Sequence, residues 1–209
     1  MYIPSAFLET DTQVLHALMV EHPLGTLVTR DAQGFDANHL PFELSADGAF
    51  GTLHAHIARA NPLWQTCTND DNVMVIFHAG DAYISPSWYP SKHEHHRQVP
   101  TWNYTVVHAH GRIRIRDDEA FVRGVVARLT RTHEAGEAVP WKMGDAPSDY
   151  LNTMLKAIVG VEIEITRLVG KRKLGQNKDA ADIRGASDAL IARGQHEVGA
   201  AMSALAAKK

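Results

Sequence analysis

Hydrophobic positions recur along this chain with two periods, and the switches between them mark its elements. Val14, Leu15, Leu18 and Met19 stand at helical spacing behind Thr10-Asp11-Thr12-Gln13, a capping-box pattern. His22-Pro23 ends that helix, because proline disfavours helical backbone in the residue before it. After Pro23 the period shortens to two. Leu24–Thr29 predict a strand, and a turn follows at Asp31–Gly34. Leu40, Phe42 and Leu44 then alternate with His39, Pro41 and Glu43. Ser45–Gly48 supply a hairpin turn, Thr52–Ala58 continue the sheet, and Val73–Phe77 read as a strand buried on both faces. Tyr83–Pro100, rich in Pro, Ser and charge, predict a loop long enough to be functional.

From Trp102 to Arg116 the alternation is sustained. Asn103, Thr105, Val107, Ala109, Gly111, Ile113 and Ile115 share one face, and Gly111 is the expected place for a bulge. Asp117-Asp118 open a helix whose apolar face is Phe121, Val122, Val125, Val126 and Leu129. Ser148 caps a shorter helix ending at Gly160, Val161–Ile165 form a last strand, and residues 186–206 predict one helix rich in small residues. Several antiparallel strands with few helical crossovers predict a mainly β fold with flanking helices, a small barrel of six or seven strands. Without repeats or a low-complexity linker, the chain divides into one domain over residues 1–182 and a helical extension over 183–209.

Composition narrows the class. Of 209 residues, 44% are hydrophobic and 22% charged, the balance of a soluble globular protein. No run approaches the ~18 apolar residues of a spanning helix, and no membrane association is expected. MYIPSAFLETD lacks a basic stretch followed by an apolar one, so secretion is not expected. The single Cys67 excludes an intramolecular disulfide and fits a cytoplasmic location. The formal net charge of -3 disfavours a general nucleic-acid binder. The helices at 10–21, 117–133 and 148–159 are separated by strands or loops, so no helix-turn-helix is visible. Arg112, Arg114 and Arg116 together with the basic run 171–178 are the only footprint for DNA, which neither charge nor motif supports.

Four segments carry candidate chemistry. In HIARANPLW (56–64), Asn61 and Pro62 open a helix, and Arg59 beside its free N–H groups reads either as a phosphate ligand or as a surface ion-pair partner. AYISPSWY and VPTWNY bring hydroxyls, the Asn103 amide and aromatic rings into a short stretch, which suits a planar heteroaromatic ligand, an aromatic-lined core or a dimer interface. GKRKLGQNK (170–178) surrounds Gln176 and Asn177 with four cations, fitting a small anion or a solvated surface. The thirteen histidines include two i, i+2 pairs, His54/His56 and His108/His110, either metal ligands or polar pocket lining. Neither HExxH nor a carboxylate at ligand spacing accompanies them.

Taken together, MYIPSAF, HLPF, HIARANPLW, YISPSWYPSK, VPTWNYTVVHAHG and GKRKLGQNK, in that order over residues 1–180, resemble the PaiB family of FMN-binding negative transcriptional regulators. The resemblance implies an FMN-binding split β-barrel similar to pyridoxamine-phosphate oxidases and flavin reductases, assembled as a homodimer with FMN at the subunit interface. It implies cofactor contacts from His56, Arg59, Asn61, Ser85, Ser87, Trp88, Thr101, Trp102, Asn103, Lys173, Gln176, Asn177 and Lys178. Asn61 stands where that fold often has a lysine, which puts the phosphate grip at that position in question. A flavin-dependent oxidoreductase and a histidine-ligated metal or haem protein are the alternatives. No nucleophile–base pair stands out to mark a catalytic residue.

Overall fold

The computed structural model describes residues 1–209. Its strands are β1 (Leu8–Glu9), β2 (Leu24–Asp31), β3 (Gly34–Pro41), β4 (Glu43–Ser45), β5 (Thr52–Ala58), β6 (Asn72–Ile84), β7 (Thr101–Arg116) and β8 (Ile158–Lys173). The helices are α1 (Thr12–Glu21), α2 (Leu63–Thr66), α3 (Pro90–His95), α4 (Glu119–Glu134), α5 (Ser148–Lys156), α6 (Ala180–Ile191) and α7 (His196–Ala206). All eight strands join one sheet in the order β3-β2-β6-β7-β8-β5-β4, with β1 added on β8. The pairings of β2 with β3 and β6, and of β8 with β1 and β5, are antiparallel. This is the expected mainly β, antiparallel architecture with flanking helices. Eight strands replace the expected six or seven because two-residue β1 is too short to show an alternation and the alternating stretch around Leu40, Phe42 and Leu44 is divided between β3 and β4.

The chain forms two compact units, and β6, β7 and β8 each contribute to both. One unit comprises Thr12–Phe77 and His108–Leu168. Its core draws on the inward positions of β5, where Leu53, Ala55 and Ile57 alternate with half-buried Thr52, His54 and His56. Asp118 caps α4 by accepting the Phe121 N–H at 2.8 Å, and Arg128 of α4 grips Glu43 of β4 through both carboxylate oxygens. Strand β7 runs unbroken through Gly111, where a Cβ would meet the Glu164 carbonyl oxygen at 2.5 Å; close approach, rather than the expected bulge, demands glycine there.

The other unit comprises Met1–Asp11, His78–Val107 and Val169–Lys209. Its core packs Ala82, Ile84, Tyr89 and Leu174 against Ile183, Ala186 and Leu190 of α6 and Val198 and Met202 of α7. The single helix expected over 186–206 is two, because the chain reverses at Gly194, whose φ of 78° is open only to glycine at low cost. Small residues let this hairpin close: Ser187 Oγ donates to the Gly199 carbonyl at 2.8 Å. The expected loop over 83–100 holds the end of β6, a 3-10 turn at Pro86–Trp88 and α3. Val73–Phe77 is not buried on both faces, since Met74 and Ile76 are half-exposed, and the last strand extends far beyond Val161–Ile165.

Candidate functional site

Ten of the thirteen residues expected at a flavin site fall in the unit containing α6 and α7, and of these Thr101 and Trp102 meet Lys173 at the end of β8. Lys173 Nζ donates to Thr101 Oγ1 and, at 2.7 Å, to the Trp102 carbonyl. Lys171, only 9% exposed, donates to the Tyr2 carbonyl and lies 5.0 Å above the Tyr104 ring. Lys178 donates to the Gln98 carboxamide oxygen and lies 5.2 Å from the Tyr89 ring centre. None of these partners carries a charge. Burial, with the neighbouring Lys171 charge and against an upward pull from Tyr104, holds Lys173 below the usual lysine value. Three ammonium groups with neutral partners leave local positive charge for an anion to neutralise. Arg172 differs: it pairs with Glu9 at 3.5 Å, and its Nε is buried without a partner.

Beside Lys173 lies an exposed aromatic pair. Trp102 is 53% and Tyr83 43% exposed, with ring centres 6.0 Å apart edge to face. A flat ring can lie there, since both side chains present apolar surface to solvent. Other expected residues serve the framework. Asn103 is buried and its amide donates to Met202 Sδ. Gln176 closes its own turn, accepting from the Leu174 N–H and donating to the Arg172 carbonyl. Ser85 accepts from the Ser87 N–H to start the 3-10 turn, and Trp88 is covered by the Arg193 guanidinium at 4.7 Å. Asn177 is exposed.

Sequence reasoning missed what holds this face in place. Asp182, 3% exposed, accepts from the Ser91 N–H and Oγ–H and from the Gln98 amide, so the Gln98 oxygen is turned to Lys178. No local pattern signals a network whose members lie up to 91 positions apart.

His56, Arg59 and Asn61 lie in the other unit. Asn61 Oδ1 accepts the Leu63 N–H at 2.9 Å, as expected of a helix-opening asparagine, and its amide donates to Asn38. The Arg59 guanidinium forms a two-pronged pair with Asp117 and also donates to the Lys156 and Ile158 carbonyls. Hydrogen bonding from Arg59 lowers the Asp117 pKa. His56 keeps a buried Nδ1 with no partner, and burial holds its pKa below the ordinary histidine value. His54 meets Glu162 at 3.7 Å and the Phe121 ring edge to face, while the His108 and His110 rings stand 6.4 Å apart. No group of three His, Cys, Asp or Glu side chains has metal-binding geometry.

The family described as "Putative FMN-binding domain" matches residues 1–167, and the chain belongs to it. FMN is therefore its cofactor. Among relatives, the chain is 30% identical over 182 residues to the Bacillus subtilis "Protease synthase and sporulation protein PAI 2", covering 87% of this chain and 85% of that one. It is 31% identical over 218 residues to an uncharacterized protein of Emericella nidulans, covering 87% of each. The fold is shared with an FAD- and haem-binding protein of Mycobacterium smegmatis, at a TM-score of 0.61 and 17% identity over 90% of this chain and 80% of that one. No helix is long and apolar enough to cross a membrane.

The residues present fit FMN. Its phosphate is an anion for lysines that have only neutral partners, its ring system suits the Trp102–Tyr83 surface, and Arg172 Nε in the same unit is a buried donor without a partner.

Proposed function

We propose that this protein is a homodimeric, cytoplasmic flavoprotein that acts as a negative regulator of transcription through its flavin, with the FMN phosphate on the lysines around Lys173 and the isoalloxazine against Trp102. The observation carrying this reading is the set of Lys171, Lys173 and Lys178, each held by neutral partners beside an exposed aromatic pair. Lys173 binds the phosphate while Thr101 and the Trp102 carbonyl fix its ammonium, and Gln98 orients Lys178. Bound FMN supplies the electron-transfer chemistry, and the chain positions it.

The regulatory part follows the resemblance to the PaiB family; the name of the Bacillus relative speaks of protease synthesis and sporulation. The regulator acts without direct base reading. The pair joined by a short turn, α6 and α7, buries its inner face in the core and carries exposed Asp188 and Glu197 against the single Arg184, which is no basic face for phosphates. The dimer follows the family resemblance, and exposed Tyr2, Val99 and Trp102 on one unit and Leu24 and Phe35 on the other are apolar side chains it could cover.

Titration of apoprotein with FMN and riboflavin, followed by retardation of promoter DNA with and without saturating FMN, tests the reading. Saturable FMN binding tighter than riboflavin, with no tight FMN-independent DNA complex at physiological salt, is expected. Tight sequence-specific DNA binding indifferent to FMN refutes the regulatory mechanism. NAD(P)H-dependent flavin reduction at enzymatic rates favours an oxidoreductase instead.

A further inference from the structure

The C-terminal half of α4 and the segment after it enclose a groove of about 520 Å³ that the flavin reading does not use. That volume lies within the ~300–1,000 Å³ common to small-molecule sites. Its walls are Ala127, Ala135, Pro140, Trp141 and Met143, almost wholly apolar. The segment is folded onto the helix by its own hydrogen bonds. The Trp141 N–H donates to Glu134 Oε2 at 2.8 Å, and the Lys142 N–H donates to Asp145 Oδ2 at 2.9 Å, closing a 3-10 turn over Met143–Asp145. The walls are thus set before any ligand arrives, which lowers the ordering cost of binding.

Charge selects the ligand. Arg131 and Lys142 line the groove with Glu134, and the Glu134 carboxylate already accepts the Trp141 N–H. Two cations against one engaged carboxylate leave the groove net positive above apolar walls. We infer that this groove binds a small aromatic carboxylate, its rings against Trp141 and Met143 and its carboxylate at Arg131 and Lys142. FMN does not match, because its ribityl chain and dianionic phosphate would meet apolar walls. A second copy of the chain is the competing occupant. A two-fold contact centred here would bring Arg131 and Lys142 toward their own copies, which like charge disfavours.

The test is calorimetric titration of the full chain with 2-naphthoate and with its neutral counterpart 2-naphthylmethanol. One site per chain is expected, with the alcohol at least about tenfold weaker, the scale of a charge-assisted hydrogen bond. Arg131→Gln is expected to weaken the acid and leave the alcohol unchanged. Ala127→Phe, or Ala135→Trp at the exposed helix end should the first variant fail to fold, is expected to abolish both by filling the groove. Saturating FMN should change neither. Absence of saturable naphthoate binding, equal affinity for acid and alcohol, binding that survives both groove-filling variants, or displacement by FMN overturns the inference. So does a Trp141→Ala variant that loses self-association while no probe binds the native chain, since the groove is then covered by a second copy.

Discussion

Replacing Lys173 by methionine separates the two candidate phosphate positions. The lysine carries three donors, and two are engaged by Thr101 Oγ1 and the Trp102 carbonyl. The third, with the charge, is available to a phosphate. A hydrogen bond to a charged group contributes about 1.5–3 kcal/mol. At 1.4 kcal/mol per decade, losing it weakens FMN about 10- to 150-fold. Riboflavin lacks the phosphate, so the preference for FMN over riboflavin should fall by that factor. Arg59→Ala is the control: its guanidinium is held by Asp117 and two carbonyls, so the preference should survive. Equilibrium titration by flavin fluorescence reads both ligands in each variant. The pKa shift adds a second readout. Burial lowers the folded-state pKa of Lys173, so the unfolded chain binds more protons between that value and 10.5, and apoprotein stability rises with pH across this window. Lys173→Met should remove that rise. An FMN preference unchanged in Lys173→Met but lost in Arg59→Ala refutes the reasoning.

Further outcomes follow from packing and titration. Gly185→Ala forces a Cβ to 2.4 Å from the Trp88 carbonyl oxygen and should destabilise the fold by about 1–3 kcal/mol, read as a lower denaturant midpoint. Asp182→Ala leaves the Ser91 and Gln98 donors without their acceptor and should cost about 1–3 kcal/mol. In the same variant FMN should weaken more than riboflavin if Gln98 positions Lys178. His54 and His56 have folded-state pKa values lowered by burial, so the unfolded chain takes up more protons below about 6.5. Apoprotein stability should be full above that pH and fall as pH drops through it, and His56→Leu should flatten the slope in urea melts at pH 5–7.

Much of the fold is legible where one face of a strand meets the core. Thr52–Ala58 and residues 101–116 alternate cleanly because their inward residues must be apolar or small. The far half of β8 escapes that logic. Thr166–Lys173 places exposed and half-exposed residues next to one another and then buries Gly170 and Lys171, so no period survives. The break between α6 and α7 rests on one positive φ at Gly194, which a helical period cannot reveal. At the site, Trp102 and Lys173 are legible as an aromatic string and a basic run. Their neighbourhood is not, since it joins positions about 70 residues apart. The engagement of Arg59 is equally silent: Asp117 lies 58 positions away and reads locally as a helix-start carboxylate.

The crystal structure of the FMN complex bears most directly on where the cofactor is held. The phosphate is expected within hydrogen-bond reach of Lys173 Nζ, about 2.7–3.2 Å, with the isoalloxazine against Trp102 and the Arg59–Asp117 pair intact. A phosphate bound by Arg59, with Asp117 released and Lys173 still turned only to Thr101 and the Trp102 carbonyl, would contradict it.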